Sequence, residues 1–166
     1  MGAWPLAVDH DIQFRGVTGF LLLKWLHVLS AILAVGSNAT YGLWSARAGS
    51  DPAHLGFALR GIKFMDDRLA NPAYGVLLVT GLIMAFTTYS ITLTWILIGL
   101  GLYAVMAVLG AGVYSRTLNR QIKTLDAEGP SSPAFRALSA RAAAVGIFLG
   151  VLAIAVVFDM VFKPQI

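Results

Sequence analysis

The chain contains no cysteine, which removes disulfides, thiolate metal sites, iron–sulfur clusters and cysteine nucleophiles together. It is also poor in charge. Only 12% of its 166 residues are Asp, Glu, Lys or Arg, half the roughly 25% usual in soluble domains. No pair of carboxylates falls inside an apolar run. P-loop, GxSxG, HExxH and Rossmann fingerprints are missing too, so no nucleotide-binding, serine-hydrolase or zinc-protease chemistry can be read from the sequence.

What is present is apolar. Hydrophobic residues make up 58% of the chain and the mean hydropathy is +0.77. Four runs are too long for soluble core helices, and none keeps a continuous polar face. The sequence therefore predicts an all-α, polytopic membrane protein: a four-transmembrane-helix bundle whose solvent is the lipid bilayer. It reads as one integral membrane domain over residues 1–166, with spans at 18–44, 72–89, 94–114 and 137–162. A net charge of +4 with a pI near 9.7 would suggest a nucleic-acid partner in a soluble protein. In a membrane protein the same surplus marks cytoplasmic loops beside anionic lipid, and no nucleic acid is expected.

Taken in order, residues 1–17 are mixed and carry Trp4 and Phe14, an interfacial pattern without the basic-then-apolar order of a cleavable signal. Tyr41 and Trp44 would form an aromatic belt where the first span leaves the membrane. Gly49-Ser50-Asp51-Pro52 then breaks the chain. Residues 54–69 repeat Leu55, Leu59, Ile62 and Met65 at helical spacing against a charged side, predicting an amphipathic connector helix on the membrane surface between helices one and two. There Asp66 and Asp67 read as solvated counter-charges. Asn71 and Pro72 are a cap and first-turn pair for the second span. Only residues 90–93 separate the second and third spans, which predicts antiparallel neighbours. Loops one and three hold nine of the twelve basic residues, and Arg15, Lys24 and Lys163 lie on the other side. By the positive-inside rule, both termini face away from the cytoplasm.

That topology gathers four ionisable groups in one leaflet. Lys24 and His27 are three apart in the first span, and Asp159 and Lys163 are four apart in the last, so each pair shares a helix face. One reading is a buried polar site in which Asp159 pairs with Lys24 or orients the His27 imidazole. In the other, both lysines snorkel to the headgroups and Asp159 neutralises Lys163. His27 is too deep to snorkel and must face protein, cofactor or water. It is the only histidine inside a span, so a bis-histidine heme or a three-histidine metal centre cannot be assembled in the membrane. A single axial histidine could be joined by Met84 or Met160. Each methionine is equally suited to filling a core gap, and His27 to hydrogen bonding a neighbouring helix. Asn38 should hydrogen bond across helices, with Gly36 and Ser37 allowing close approach.

Lys24-x-x-His27 in the first span, Arg68-Leu69-x-x-Pro72-Ala73 with Gly81-Leu82 in the second, and the closing Val161-Phe162-Lys163-Pro164 resemble a group of small bacterial four-helix membrane proteins. One branch is the heme-b-dependent membrane protoporphyrinogen oxidase; a nearer branch is similar to a family of predicted integral membrane proteins of unknown function. The oxidase resemblance implies a bacterial inner-membrane oxidoreductase acting on a porphyrinogen. It implies His27 as heme ligand, with Lys24 and Lys163 near the porphyrin carboxylates. The third span departs from that pattern, offering Gly99, Gly101 and Tyr103 where the oxidase carries basic or histidine residues.

Two functions follow from the sequence. The first is a heme-b-binding redox protein, with Lys24 and Asp159 as catalytic candidates and with His27, Lys163 and Met84 holding the cofactor, His27 on its iron. The second is a non-catalytic structural or assembly subunit, either a homo-oligomer or part of a larger membrane complex.

Overall fold

From His10 the chain enters a helix that does not end until Gly49 (α1). The computed structural model describes residues 10–164, with side chains from residue 17 onward; Trp4 lies outside the described residues and Phe14 is described as helical backbone alone. After a tight turn come α2 (Leu55–Met65), a π-helical segment (Asp66–Ala70) and α3 (Asn71–Thr87). Next are α4 (Thr94–Ala107), a second π segment (Val108–Tyr114), α5 (Ser115–Glu128) and α6 (Pro133–Phe162). The described residues form no strand.

These elements join into four continuous helices long and apolar enough to cross a membrane: Val17–Gly49, Leu55–Thr87, Thr94–Glu128 and Pro133–Phe162. At a rise of about 1.5 Å per residue, 30 residues span about 45 Å, against a hydrocarbon core of about 30 Å. Every helix therefore projects beyond the bilayer. The apolar runs in the sequence mark where lipid stops, whereas helical hydrogen bonding continues past that level. The charged stretch of 54–69 is accordingly no separate connector but the first part of the second helix.

Asn71 and Pro72 do not start a helix either. Ala70 and Asn71 are both in the right-handed helical region, and the Asn71 N–H reaches back five residues to the Asp66 carbonyl. Proline lacks an N–H and its ring crowds the carbonyl four residues earlier. Widening the preceding turn to the π spacing absorbs both problems without ending the helix. The second π segment is closed in the same way, by the Ser115 N–H on the Gly110 carbonyl.

The main apolar core sits at the end where the first and third loops lie. Leu59 and Ile62 of α2 and Leu118 of α5 are almost wholly buried there, together with Tyr41, Ala48, Tyr114 and Phe135. Tyr41 thus stacks on Tyr114, their ring centroids 6.3 Å apart, instead of joining an outer aromatic belt. Trp44 does face outward. At the turn between α1 and α2, His54 Nδ1 bonds Asp51 Oδ2 at 2.7 Å, which holds the exposed Asp51 carboxyl below the usual carboxylate range. Ser132 caps α6 by accepting from the Phe135 N–H at 3.1 Å, with Pro133 in the first turn.

At the opposite end the helices pair off. The backbone of α1 packs on α3 and that of α4 on α6. Although a short turn joins them, α3 and α4 are not close-packed neighbours. Side chains bridge them: the Tyr103 hydroxyl donates to the Tyr74 carbonyl at 2.9 Å. The gap between the pairs is where the candidate site lies.

Candidate functional site

A cavity of about 460 Å³ separates the α1/α3 pair from the α4/α6 pair. That is within the range of about 300–1,000 Å³ typical of small-molecule and cofactor sites. Its wall is almost entirely aliphatic and aromatic, contributed by α1, α3, α4, α6 and Tyr89. The one ionisable imidazole on it is His27. Met84, Met160, Gly81 and Gly99 line the same space, so residues placed together by sequence depth are also brought around one cavity.

His27 Nδ1 lies 2.9 Å from Thr80 Oγ1. The Thr80 hydroxyl gives its single proton to the helix carbonyls of Val76, at 2.7 Å, and Leu77, at 3.1 Å. In the tautomer that carries its hydrogen on Nδ1, the ring donates to Thr80 Oγ1 while the Thr80 hydroxyl donates to a helix carbonyl. The Nε2 lone pair is then the uncommitted acceptor of the imidazole. Thr80, not Asp159, orients His27. A Cβ at residue 81 would stand 3.0 Å from His27 Cε1 and 3.6 Å from Nδ1, so glycine there lets the ring lie against α3. Gly81→Ala should displace the imidazole by a few tenths of an ångström. Nitrogen-15 NMR of histidine-labelled protein should then show altered ring shifts. Because alanine also favours helix by about 1 kcal/mol, the net stability change should stay within about 1 kcal/mol.

Asp159 is buried, 3% exposed, and neither carboxylate oxygen has a hydrogen-bond partner among the described residues. Its space depends on Gly99, where a Cβ would come within 3.1 Å of Oδ2 and would also collide with the Met160 methyl. The expected pairing with Lys24 does not occur: Lys24 is exposed on α1 and does not line the cavity. Lys163 is no partner either. The left-handed conformation that ends α6, φ 47°, carries its Nζ to 5.4 Å from the Tyr89 ring centroid and 5.3 Å from that of Trp95. Both rings line the cavity, so Lys163 forms a cationic roof at its outer end, held by cation–π attraction.

An unpaired buried carboxyl is costly. Asp159→Asn, close in shape and uncharged, should stabilise the protein by about 1–3 kcal/mol, read as a higher thermal midpoint in detergent. A fall in the midpoint would mean that the carboxylate is satisfied in the native membrane.

Sequence reasoning missed Thr80 and the Tyr89–Trp95 pair, and it named Gly81 and Gly99 without their contacts to His27 and Asp159. Thr80 was visible as the lone hydroxyl in the middle of its apolar run, but the partner of His27 could not be chosen without the α1–α3 register. Among the described residues, no three His, Cys, Asp or Glu side chains come together to hold a metal ion.

No curated protein and no solved structure matches the chain. Residues 21–164 match the family described as predicted integral membrane protein (DUF2269). That stretch takes in all four membrane-capable helices save the first residues of the first, and the chain belongs to this family.

Proposed function

We propose that the protein binds heme b in the interhelical cavity, as a membrane redox protein, with His27 as the axial ligand. The observation that carries this reading is the His27 ring itself. The ring lines an apolar cavity of about 460 Å³ with its Nδ1 2.9 Å from Thr80 Oγ1, so a ring that donates from Nδ1 to Thr80 keeps the Nε2 lone pair for a metal. Locking the non-ligating nitrogen in a hydrogen bond is how proteins orient a ligating histidine and raise its basicity.

The residues present fit the group. The wall would supply apolar contact area for a porphyrin face, Met84 and Met160 on it would offer thioethers to the iron, and Lys163, over the Tyr89 and Trp95 rings of that wall, would meet a propionate. Lys24, exposed one turn from His27, is suited to the headgroups or to a second carboxylate at the rim. When bound, heme supplies one-electron chemistry. The protein's own work is to hold the imidazole in one tautomer, to exclude water with its apolar wall, and to neutralise carboxylates at the outer end. Oxidation of a porphyrinogen is the narrower form of this proposal. The membrane is proposed to be the bacterial inner membrane, with the basic loop end toward the cytoplasm and both termini opposite.

The test is the visible spectrum of the detergent-purified protein, oxidised and then dithionite-reduced, before and after hemin is supplied. A Soret band with sharpened α and β bands, at near one heme per chain, is the expected result. A preparation that stays colourless with hemin would overturn the proposal and direct work to the alternative, a structural or assembly subunit of a larger membrane complex.

A further inference from the structure

A second cavity, of about 310 Å³, lies toward the basic loop end of the bundle and is walled by Asp66, Tyr74, Tyr103 and Tyr114. Its only charged side chain is Asp66, and no Lys, Arg or His lines it. Asp66 was expected to be a solvated counter-charge, but it is 6% exposed. The counter-charge is its neighbour Asp67, exposed and paired with Lys63. The hydrogen-bonding neighbours of the Asp66 carboxylate are uncharged, the Asn71 side-chain nitrogen at a long 3.5 Å and Ser115; Lys63 acts on it through charge alone and is itself bonded to Asp67. Among the described residues it has no ion-pair partner within 4 Å.

Both π segments of the chain border this cavity. Asp66 is the first residue of one, and Gly110, Ala111 and Tyr114 belong to the other. Single π turns persist in helices chiefly at functional sites, because they sacrifice regular hydrogen bonding to re-aim side chains. Tyr41 stacks on Tyr114 and does not itself line the cavity. Its hydroxyl is buried without a partner among the described residues. Asn38 donates to the Tyr74 hydroxyl at 2.6 Å and Tyr103 to the Tyr74 carbonyl, so the aromatic wall is held rigidly. Asn71, Gly75, Ala107 and Ala111 line the cavity and are exposed, which gives it a mouth between α3 and the second π segment.

We infer that this cavity binds an alkylated ammonium group, with Asp66 as its counter-ion and Tyr74, Tyr103 and Tyr114 presenting aromatic surface to it. A carboxylate selects a cation, and aromatic faces attract one that has shed its water. A bare metal ion is a poor fit. Calcium wants six to eight oxygen ligands and magnesium a tight octahedron. This wall offers one carboxylate and the neutral polar groups of Asn38, Asn71 and three tyrosines among apolar Met106, Leu149 and alanine surface, too few anionic oxygens for either ion. The volume is about ten times the roughly 30 Å³ a water occupies in the liquid, which suits a cation bearing carbon substituents. The group could come from a lipid headgroup or from a free amine, since the chemistry is shared.

Fluorine NMR of the full chain labelled with fluorotyrosine tests this, its five tyrosine signals assigned by single Tyr→Phe variants. In nanodiscs of phosphatidylglycerol, choline chloride should shift the signals of Tyr74, Tyr103 and Tyr114 saturably. Tyr74 and Tyr103 border both cavities, so the site is read from the pair that does not: Tyr114, which lines this cavity alone, should shift, and Tyr89, which lines the other alone, should not. Asp66→Asn should weaken binding by at least about tenfold. Gly110→Leu, at a position where a Cβ meets nothing within 4 Å, should block it by filling the space. Should Asp66→Asn fail to fold, the Gly110→Leu result alone decides. Nanodiscs containing phosphatidylcholine distinguish the sources. The same shifts already present there, with no further effect of choline, identify the lipid headgroup; shifts only on adding choline identify a free amine. Equal response to dimethylbutanol, the uncharged carbon isostere, would overturn the inference, as would unaltered binding in Asp66→Asn or no response to either source.

Discussion

Replacing His27 with alanine should remove the Soret band of the hemin-loaded protein and leave helical content and thermal midpoint close to those of the parent chain. The effect on heme is large because, among the described side chains, no second imidazole lines the cavity: His54 sits in the turn before α2. Its effect on stability is small because the ring is only partly buried and borders a void that already exists. Thr80→Val separates ligation from packing. It keeps the shape of the side chain and removes the acceptor of the Nδ1–H, so the imidazole loses its fixed tautomer. Such supporting groups typically contribute ten- to a hundredfold in affinity. Heme affinity should therefore fall by about that factor, without loss of the band at saturation. A His27→Ala protein with an unchanged heme spectrum would remove His27 from the site.

Leu118→Ala has the largest expected effect on stability. The side chain is 1% exposed and packs in the cluster that joins α1, α2, α5 and α6. Truncating it leaves a cavity as well as losing apolar contact, a cost of about 2–5 kcal/mol. Ile154→Ala, at a side chain 71% exposed on the lipid-facing surface of α6, should cost less than about 1 kcal/mol, since hydrocarbon replaces whatever the side chain touched. Denaturation by sodium dodecyl sulfate, followed by circular dichroism, should rank the two variants in that order. The reverse order would mean that the basic end is not where the bundle is held together.

The four membrane helices were legible because the bilayer imposes length and apolarity residue by residue. Their true ends were not. Helical hydrogen bonding continues past the lipid boundary into α2 and α5, where the pattern becomes amphipathic and resembles a surface connector. Asn71-Pro72 looked like a helix start because the cost of proline is usually relieved by a helix end; here the π turn from Asp66 to Ala70 relieves it instead. His27, Met84, Met160 and Lys163 were grouped by depth alone; the first three line one cavity, and Lys163 lies over the Tyr89 and Trp95 rings of its wall. Partners were harder. Lys24 and Asp159 share a leaflet but not a contact, since helix rotation decides which side chains meet and leaves no trace in residue spacing. Asp66 was misjudged for the same reason: adjacent residues on a helix point to different sides, and Asp66 is buried in the bundle while Asp67 faces out.

The central claim is that one imidazole, that of His27, holds heme iron inside the membrane. The most direct test is low-temperature electron paramagnetic resonance of the oxidised, hemin-loaded protein, with nitrogen-15 confined to histidine, read by hyperfine spectroscopy. The account predicts coupling to the nitrogens of a single imidazole, lost in His27→Ala. Coupling to two imidazoles, or to none, would contradict it.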